Sequence, residues 1–109
     1  MKFSLFSESK TKEVIDLFKR VFSESESEAE GQAIADFVGN LIATTKSQDL
    51  IGCIAEENEI IVGCIFFSRF TVPSGQDAFI LSPVAVSTDV QGTGVGQKLI
   101  QYGLDHLRS

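Results

Sequence analysis

What the chain has little of narrows it first. Its 109 residues include two cysteines, two prolines and one histidine. Cys53 and Cys64 stand in separate apolar, strand-like runs, with no Cys-x-x-Cys pair and no His/Cys cluster. Zinc motifs and dithiol redox motifs are therefore absent. No metal is expected, and the two thiols read as buried core residues. Long apolar runs are missing as well. The longest, Ile60 to Phe67 and Ala78 to Val86, fall far short of the roughly 20 residues that a membrane span needs. Met1-Lys2-Phe3-Ser4-Leu5-Phe6 turns polar too soon for a signal peptide. No membrane partner is expected, and the expected setting is cytoplasmic. Basic residues are also scarce: nine Lys and Arg against fifteen Asp and Glu give a net charge of −6. Sequence-independent binding to nucleic acid or anionic lipid depends on basic patches, so no nucleic-acid partner is expected. The same charge suits a cationic substrate such as an amine.

What is present describes one ordinary soluble domain, residues 1–109, at 43% hydrophobic and 22% charged. A chain of this length can bury roughly two-thirds of its unfolded surface. Lys2 to Phe6 alternates in character and reads as a short strand. Val14, Leu17, Phe18, Val21 and Phe22 recur at helical spacing, which predicts a helix from about Thr11 to Phe22. Ser23 to Glu30 is acidic and lacks large apolar residues, so it reads as a link, with Ser27 and Glu30 fitting a capping box. A second helix should carry Ile34, Phe37, Val38, Leu41 and Ile42 on one face and fade near Thr44 to Ser47. From Leu50 the period changes. Ile51 to Glu57 and Ile60 to Val72 are strand-like, with a hairpin turn at Glu57-Asn58-Glu59. Pro73-Ser74-Gly75-Gln76 is the next turn. Asp77 to Val86 reads as a strand buried on both faces. A last helix starts near Gly94 and carries Leu99, Ile100, Leu104 and Leu107. The order is β-α-α-β-β-β-α, without internal repeat or linker.

The chemistry concentrates in Val84-Ala85-Val86-Ser87-Thr88-Asp89-Val90-Gln91-Gly92-Thr93-Gly94-Val95-Gly96-Gln97-Lys98. An apolar strand ends, a polar loop follows, and glycines open a helix. Glycine lets backbone approach a ligand closely. First-turn N–H groups have no partner within the helix, and the helix dipole favours negative charge there. Such a mouth binds anions, phosphates above all. Pro83 adds a second sign: proline cannot donate to a sheet ladder, so it belongs at a bulge, an edge or a frayed strand end. A bulge would free backbone groups of Val84, Ala85 or Val86 for a ligand.

Two phosphate motifs fail on spacing. A P-loop needs GxxxxGK[ST], but Gly92 is followed five residues later by Gln97, and Lys98 precedes Leu99. A dinucleotide fingerprint needs GxGxxG, and this chain has Gly92-Thr93-Gly94-Val95-Gly96. What matches is Gln-x-x-Gly-x-Gly, read as Gln91, Gly94 and Gly96, after Pro-Val-Ala-Val and before an amphipathic helix. This resembles the coenzyme-A loop of the GNAT (Gcn5-related) N-acetyltransferases, whose pattern is Arg/Gln-x-x-Gly-x-Gly/Ala. The resemblance extends to the element order, that of the first two-thirds of the family, and is strongest to small bacterial acetyltransferases. It implies the α/β class, an α+β mixed sheet, lacking the family's C-terminal strands and helix. It also implies acetyl-CoA as co-substrate and an amine acceptor, on a small molecule or a protein. Backbone amides of Gln91, Gly92, Thr93, Gly94, Val95 and Gly96 would cradle the pyrophosphate. Val84, Ala85 and Val86 would run beside the pantetheine arm, and an amide after the bulge would polarise the thioester carbonyl.

A base must take a proton from the attacking amine, and no residue stands out for it. Ser82 is the one catalytic candidate, beside the bulge, although a hydrogen-bonded strand serine is its plainer reading. Glu56 and Glu57 end a strand and read as solvated. Glu24, Glu26, Glu28 and Glu30 lie where this family often shapes its acceptor site, or form a merely solvated stretch. His106 suits a helix C-terminus, Lys98 in the first helical turn could help hold a phosphate although a solvent-facing lysine is its plainer reading, and Tyr102 does not match the family's frequent general-acid tyrosine. Gly103 in mid-helix costs about 1 kcal/mol relative to alanine, which close helix–sheet packing would offset.

Leu107-Arg108-Ser109 has no glycine C-cap. The family continues with a fifth strand and more, so the expectation is an incomplete domain. The Asp77–Val86 strand would then be a bare sheet edge, covered in a homodimer by a second copy. Two other readings stay open: a coenzyme-A-binding module without chemistry, and a structural or dimerising fragment completed by another chain.

Overall fold

The computed structural model describes residues 1–46, 49–71, 73–75 and 77–108, with the side chains of all of these except 70–71, 77–82 and 108. In chain order the elements are β1 (Lys2–Leu5), α1 (Thr11–Ser25), α2 (Glu28–Thr44), β2 (Leu50–Glu57), β3 (Ile60–Thr71), β4 (Asp77–Val86) and α3 (Val95–Arg108). Two short 3-10 turns, Glu8–Lys10 and Thr88–Val90, precede α1 and α3. The strands stand in the order β1-β2-β3-β4, and all neighbours are antiparallel. The element order is the one expected. No parallel pair of the expected mixed sheet lies among the described residues.

Side chains of a strand alternate between faces, and here each face meets helices. Ile54, Cys64, Phe66 and Ala85 pack with Val14, Leu17, Phe18 and Val21 of α1 and Val38 of α2. Cys53, Ala55, Ile65 and Phe67 pack on the other face with Val95 and Leu99 of α3. This explains the apolar run of β3, which is buried from Ile61 to Phe67. Phe18 and Phe66 are fully buried with ring centroids 6.2 Å apart. Burying each such ring contributes about 1.5–3 kcal/mol. In β4, Ala85 joins the α1 and α2 side, while Val84 and Val86 are partly buried against the α3 side.

Tight turns and close seams fix the frame. The β2–β3 hairpin closes through Asn58 and Glu59, both at positive φ (54° and 67°), which gives the twist that a two-residue hairpin needs. Gly31 lets α2 approach α1: a Cβ there would stand 2.7 Å from the Lys19 carbonyl oxygen. Gly103 lies against Phe67 of β3, so the expected close helix–sheet packing is observed; a Cβ there would meet the ring Cζ at 2.8 Å.

Two expectations need correction. The acidic stretch Ser23 to Glu30 is not a loop. α1 continues through Ser25, the Glu26 N–H bonds the Phe22 carbonyl at 2.9 Å, and α2 begins at Glu28. Serine and glutamate continue a helix once a cap is available to restart the next one. Ser27 is that cap, its hydroxyl accepting from the Glu30 N–H at 3.2 Å. The second correction is Phe37, which is half exposed rather than buried with its stripe. The buried line of α2 is Gly31, Ala35 and Val38, small residues that allow close approach to α1.

Candidate functional site

β4 is one of the two edges of the described sheet, opposite β1. Its pairing with β3 matches Ile65 to Val84 and Phe67 to Leu81. Ser82 and Pro83 therefore oppose Phe66 alone, a bulge of two residues against one. The expected bulge at Pro83 is present. Beyond it the ladder resumes, with Val84, Ala85 and Val86 opposite Ile65, Cys64 and Gly63. The Ser87 N–H bonds the Val62 carbonyl at 2.7 Å. That bond sets the phase, because hydrogen-bonded and non-bonded pairs alternate in an antiparallel ladder. Ala85 directs its N–H and C=O to β3. Val84 and Val86 direct theirs outward, along the open edge.

The chain then makes a compact turn. Ser87 is buried, and the Val90 N–H returns to its carbonyl at 3.0 Å. Buried Val90 and Val95 anchor the loop on the α3 side of the core. Gly92 and Gly94 lie at φ 86° and 83°, a region that only glycine enters without strain. Between them the Thr93 hydroxyl donates to the Val90 carbonyl at 2.5 Å. The Lys98 N–H bonds the Gly94 carbonyl at 3.0 Å, the first bond of α3. The N–H groups of Val95, Gly96 and Gln97 therefore have no partner within the helix. They face a hollow of about 430 Å³ lined by Val86, Gln91, Gly92, Gly94 and Gly96 among others. A free first turn, a helix dipole and an open hollow suit an anion.

Gln91 does more than lend a backbone amide. Its Nε2 donates to the Val86 carbonyl at 2.9 Å, tying the loop to the outward side of β4. The Thr88 hydroxyl donates to Glu24 Oε2 at 3.2 Å, which brings the end of α1 to the same loop. Neither contact was legible beforehand. Glu24 and Thr88 are 64 residues apart, and the reach of Gln91 depends on a turn that forms only when the loop folds.

The other candidates scatter. The backbone of Ser82 sits in the bulge, but its side chain lies outside the described ones. Glu56 meets Lys10 at 3.9 Å beside β1, and Glu57 is exposed at the hairpin. Glu26, Glu28 and Glu30 are exposed around the α1–α2 link, Lys98 is exposed, and so is His106. Tyr102 stacks on Phe3 with centroids 6.2 Å apart, a packing role. A larger hollow of about 970 Å³ lies between β1 and the β2–β3 hairpin. Its rim of Lys10, Glu13, Glu56 and Glu59 is solvated charge, without the convergent N–H groups of the β4–α3 loop. Cys53 and Cys64 are free and fully buried. Burial pushes the Cys53 thiol up to about 11 and the Cys64 thiol up as well, with neighbouring Cys53 adding to the latter. Neither is a nucleophile near neutral pH. Among the described residues no group of three or more His, Cys, Asp or Glu gathers in metal-binding geometry. No described helix is long and apolar enough to cross a membrane.

Residues 11–109 match the family model of the acetyltransferase (GNAT) family. The chain belongs to this family. The GNAT chain is 36% identical over 77 residues to YjhQ of Escherichia coli (strain K12), described as an uncharacterised N-acetyltransferase; the match covers 68% of this chain and 42% of YjhQ. It thus spans less than half the length of that relative. Its fold is shared by a GNAT family acetyltransferase from Brucella melitensis solved with acetyl-CoA, at TM-score 0.71 and 25% identity, covering 98% of this chain and 69% of that one. It is shared too by the aminoglycoside 6'-N-acetyltransferase from Enterococcus faecium, at TM-score 0.72 and 18% identity, covering 99% of this chain and 56% of that one. The GNAT fold read from the glycine loop is the fold observed.

Proposed function

We propose that this chain carries the acetyl-CoA site of an N-acetyltransferase that moves an acetyl group to a primary amine. One observation supports this above all: the outward backbone of Val84 and Val86 leads directly to the free first turn of α3. The two parts fit two parts of one ligand. A pantetheine arm has amides that can pair with a strand edge, and a pyrophosphate suits a helix mouth. Neither part suffices alone. A helix N-terminus contributes about 0.3–1 kcal/mol to an exposed anion, whereas each hydrogen bond to a charged oxygen adds about 1.5–3 kcal/mol. Gly94, Val95, Gly96 and Gln97 supply several such donors in one place. The likeness to a family member solved with acetyl-CoA supports the same ligand.

In the chemistry that follows, the acceptor ammonium first loses a proton to a base or to solvent, and the neutral amine attacks the thioester carbon. The C–N bond forms as the C–S bond breaks, and the nitrogen's second proton passes to the departing sulfur, so coenzyme A leaves as the thiol. The Val84 N–H, first outward amide after the bulge, is the donor placed to stabilise the carbonyl oxygen as it gains charge. The acceptor is proposed to be a cationic amine, of a small molecule or a protein. The net charge of −6 and Glu24 beside the loop support that sign. Calorimetry with acetyl-CoA and turnover with a panel of amines test the proposal. Binding with turnover is expected. Binding without turnover would favour a coenzyme-A module lacking chemistry, and no binding would sink both readings.

A homodimer is a separate proposal. The bulge divides the β4 edge, so a second copy could pair along 77–81 while Val84 and Val86 stay open. Light scattering at high concentration tests it, and a stable monomer would refute it.

A further inference from the structure

We infer that the Gln91 side chain is a positioning residue that ends the strand-edge half of the site and sets where the anion half begins. The inference rests on the coenzyme-A reading above and assigns to one side chain how the two halves are joined.

The argument starts from the outward groups of β4. Past the bulge, the alternation of the ladder leaves four backbone groups facing the open edge: N–H and C=O of Val84, and N–H and C=O of Val86. A ligand strand could continue pairing through all four. The last, the Val86 carbonyl, already accepts from Gln91 Nε2 at 2.9 Å, so the Gln91 amide stands where the next donor of a ligand strand would come. The ladder offered to a ligand therefore stops at the Val86 N–H. Immediately beyond, the hollow is lined by Gln91, Gly92, Gly94 and Gly96, at the free first turn of α3. Gln91 thus engages an acceptor at the boundary between the strand edge and the anion-binding mouth.

The same bond fixes distance. Gln91 closes the 3-10 turn and stands in extended conformation, φ −64° and ψ 143°. The next residue, Gly92, reverses the chain at φ 86°. Within the segment from Gln91 to Gly94, Thr93 bonds the Val90 carbonyl through its N–H at 3.3 Å and its hydroxyl at 2.5 Å, and the Gly94 carbonyl accepts from the Lys98 N–H at 3.0 Å. Those hold the loop to itself. The Gln91 amide is the bond that holds it to the outward side of β4. Buried Val90 and Val95 hold the loop on the core, and the Gln91 amide adds the fine setting of the anion-binding mouth against the arm-binding edge. Without it that setting loosens while each half keeps its own geometry.

Register matters only to a ligand that occupies both halves, and this gives the test. Affinities of the 109-residue chain for coenzyme A and for pantetheine, which lacks the diphosphate and nucleotide, are measured by amide-shift titration. The variants are Gln91→Met, near in length but without a donor, and Gln91→Arg, which keeps a donor long enough to reach Val86. Titrations run at about 0.5 M salt, where the added arginine charge is largely screened. Gln91→Met should weaken coenzyme A about tenfold and pantetheine less than twofold. Gln91→Arg should stay within about twofold of the parent for both ligands. Equal weakening of both ligands by Gln91→Met, no weakening of either, or an arginine variant as weak as the methionine one would overturn the assignment. A parent chain that binds neither ligand would instead bring down the coenzyme-A reading and this inference together.

Discussion

The mouth of α3 and its body use the same residue for opposite reasons. At the mouth, a Cβ added to Gly92 or Gly94 would meet nothing within 4 Å, yet both sit at positive φ. Along the body, Gly103 and the facing Gly63 of β3 have no such φ, but a Cβ would collide. At Gly63 it would stand 2.9 Å from Leu99 Cδ1, and at Gly103 it would overlap the Phe67 ring. The first pair is glycine for backbone shape, the second for space. Shape at the mouth frees donors for a ligand, and space in the body brings α3 close enough to hold that mouth at the end of β4. On the proposed coenzyme-A reading, binding and stability are separable along a single helix.

The strongest way to break that comparison is to fill the body. Gly103→Val should destabilise the fold by about 2–3 kcal/mol, since overpacking a tight seam costs about 1–3 kcal/mol and the slightly better helix propensity of valine over glycine offsets only a few tenths of that. Thermal melting reads the loss directly. If Gly103→Val melts with the parent, the seam is looser than described and the comparison fails on its body half. At the mouth the expected result is reversed. Gly94→Val strains one residue, at about 1–3 kcal/mol, but it also turns the first free N–H groups away from their common focus. Coenzyme-A affinity should fall at least about tenfold, the equivalent of one misplaced donor to a charged oxygen. An unchanged affinity would remove the glycine mouth from the site.

How much of this was legible beforehand follows the same division. Pro83 announced its bulge because a residue without an N–H cannot stay in a ladder, and Ser27 announced a helix start through its hydroxyl. The glycine loop was legible because positive φ and a free helix turn demand a residue type at fixed spacing. Phe37 was misread for a geometric reason. It stands one residue, about 100° of helix, from Val38, so periodicity alone allows both on one stripe. Which of them faces inward depends on how closely α2 approaches α1, and Gly31 and Ala35 decide that. Gln91 was assigned its backbone amide, while its side-chain bond to Val86 exists only after the loop has closed. The tie between Glu24 and Thr88 joins two ends of the chain that no local pattern relates.

The core half can be tested by pH as well. Unfolded, the Cys53 thiol ionises near 9.0; folded, burial raises it to about 11. The folded state favours the neutral thiol, so its contribution is fully present below pH 9. It is lost as pH rises from 9 towards 11, because the unfolded chain releases a proton that the folded chain retains. The loss for Cys53 is about 1 kcal/mol at pH 10, and Cys64, raised in the same direction, deepens it. Replacing Cys53 with alanine, which cannot ionise, should flatten the alkaline limb of a stability–pH curve measured in denaturant. A parent curve with no slope between pH 9 and 11 would contradict the buried, neutral thiols.

The smallest effect sharpens the comparison most, because it concerns a glycine that belongs to neither class. Gly96 sits in the first turn of α3, and φ there is not positive. A Cβ would lie 3.7 Å from Val86 Cγ2, an ordinary contact with the strand edge. Neither shape nor space demands glycine at this position. Gly96→Ala should therefore stabilise the helix by up to about 1 kcal/mol, with coenzyme-A affinity held within about twofold. Its N–H stays in place and the added methyl group packs on Val86. A large loss of affinity without loss of stability would mean that the ligand passes closer to Gly96 than the backbone geometry implies. That result would move the site from the loop onto the helix itself.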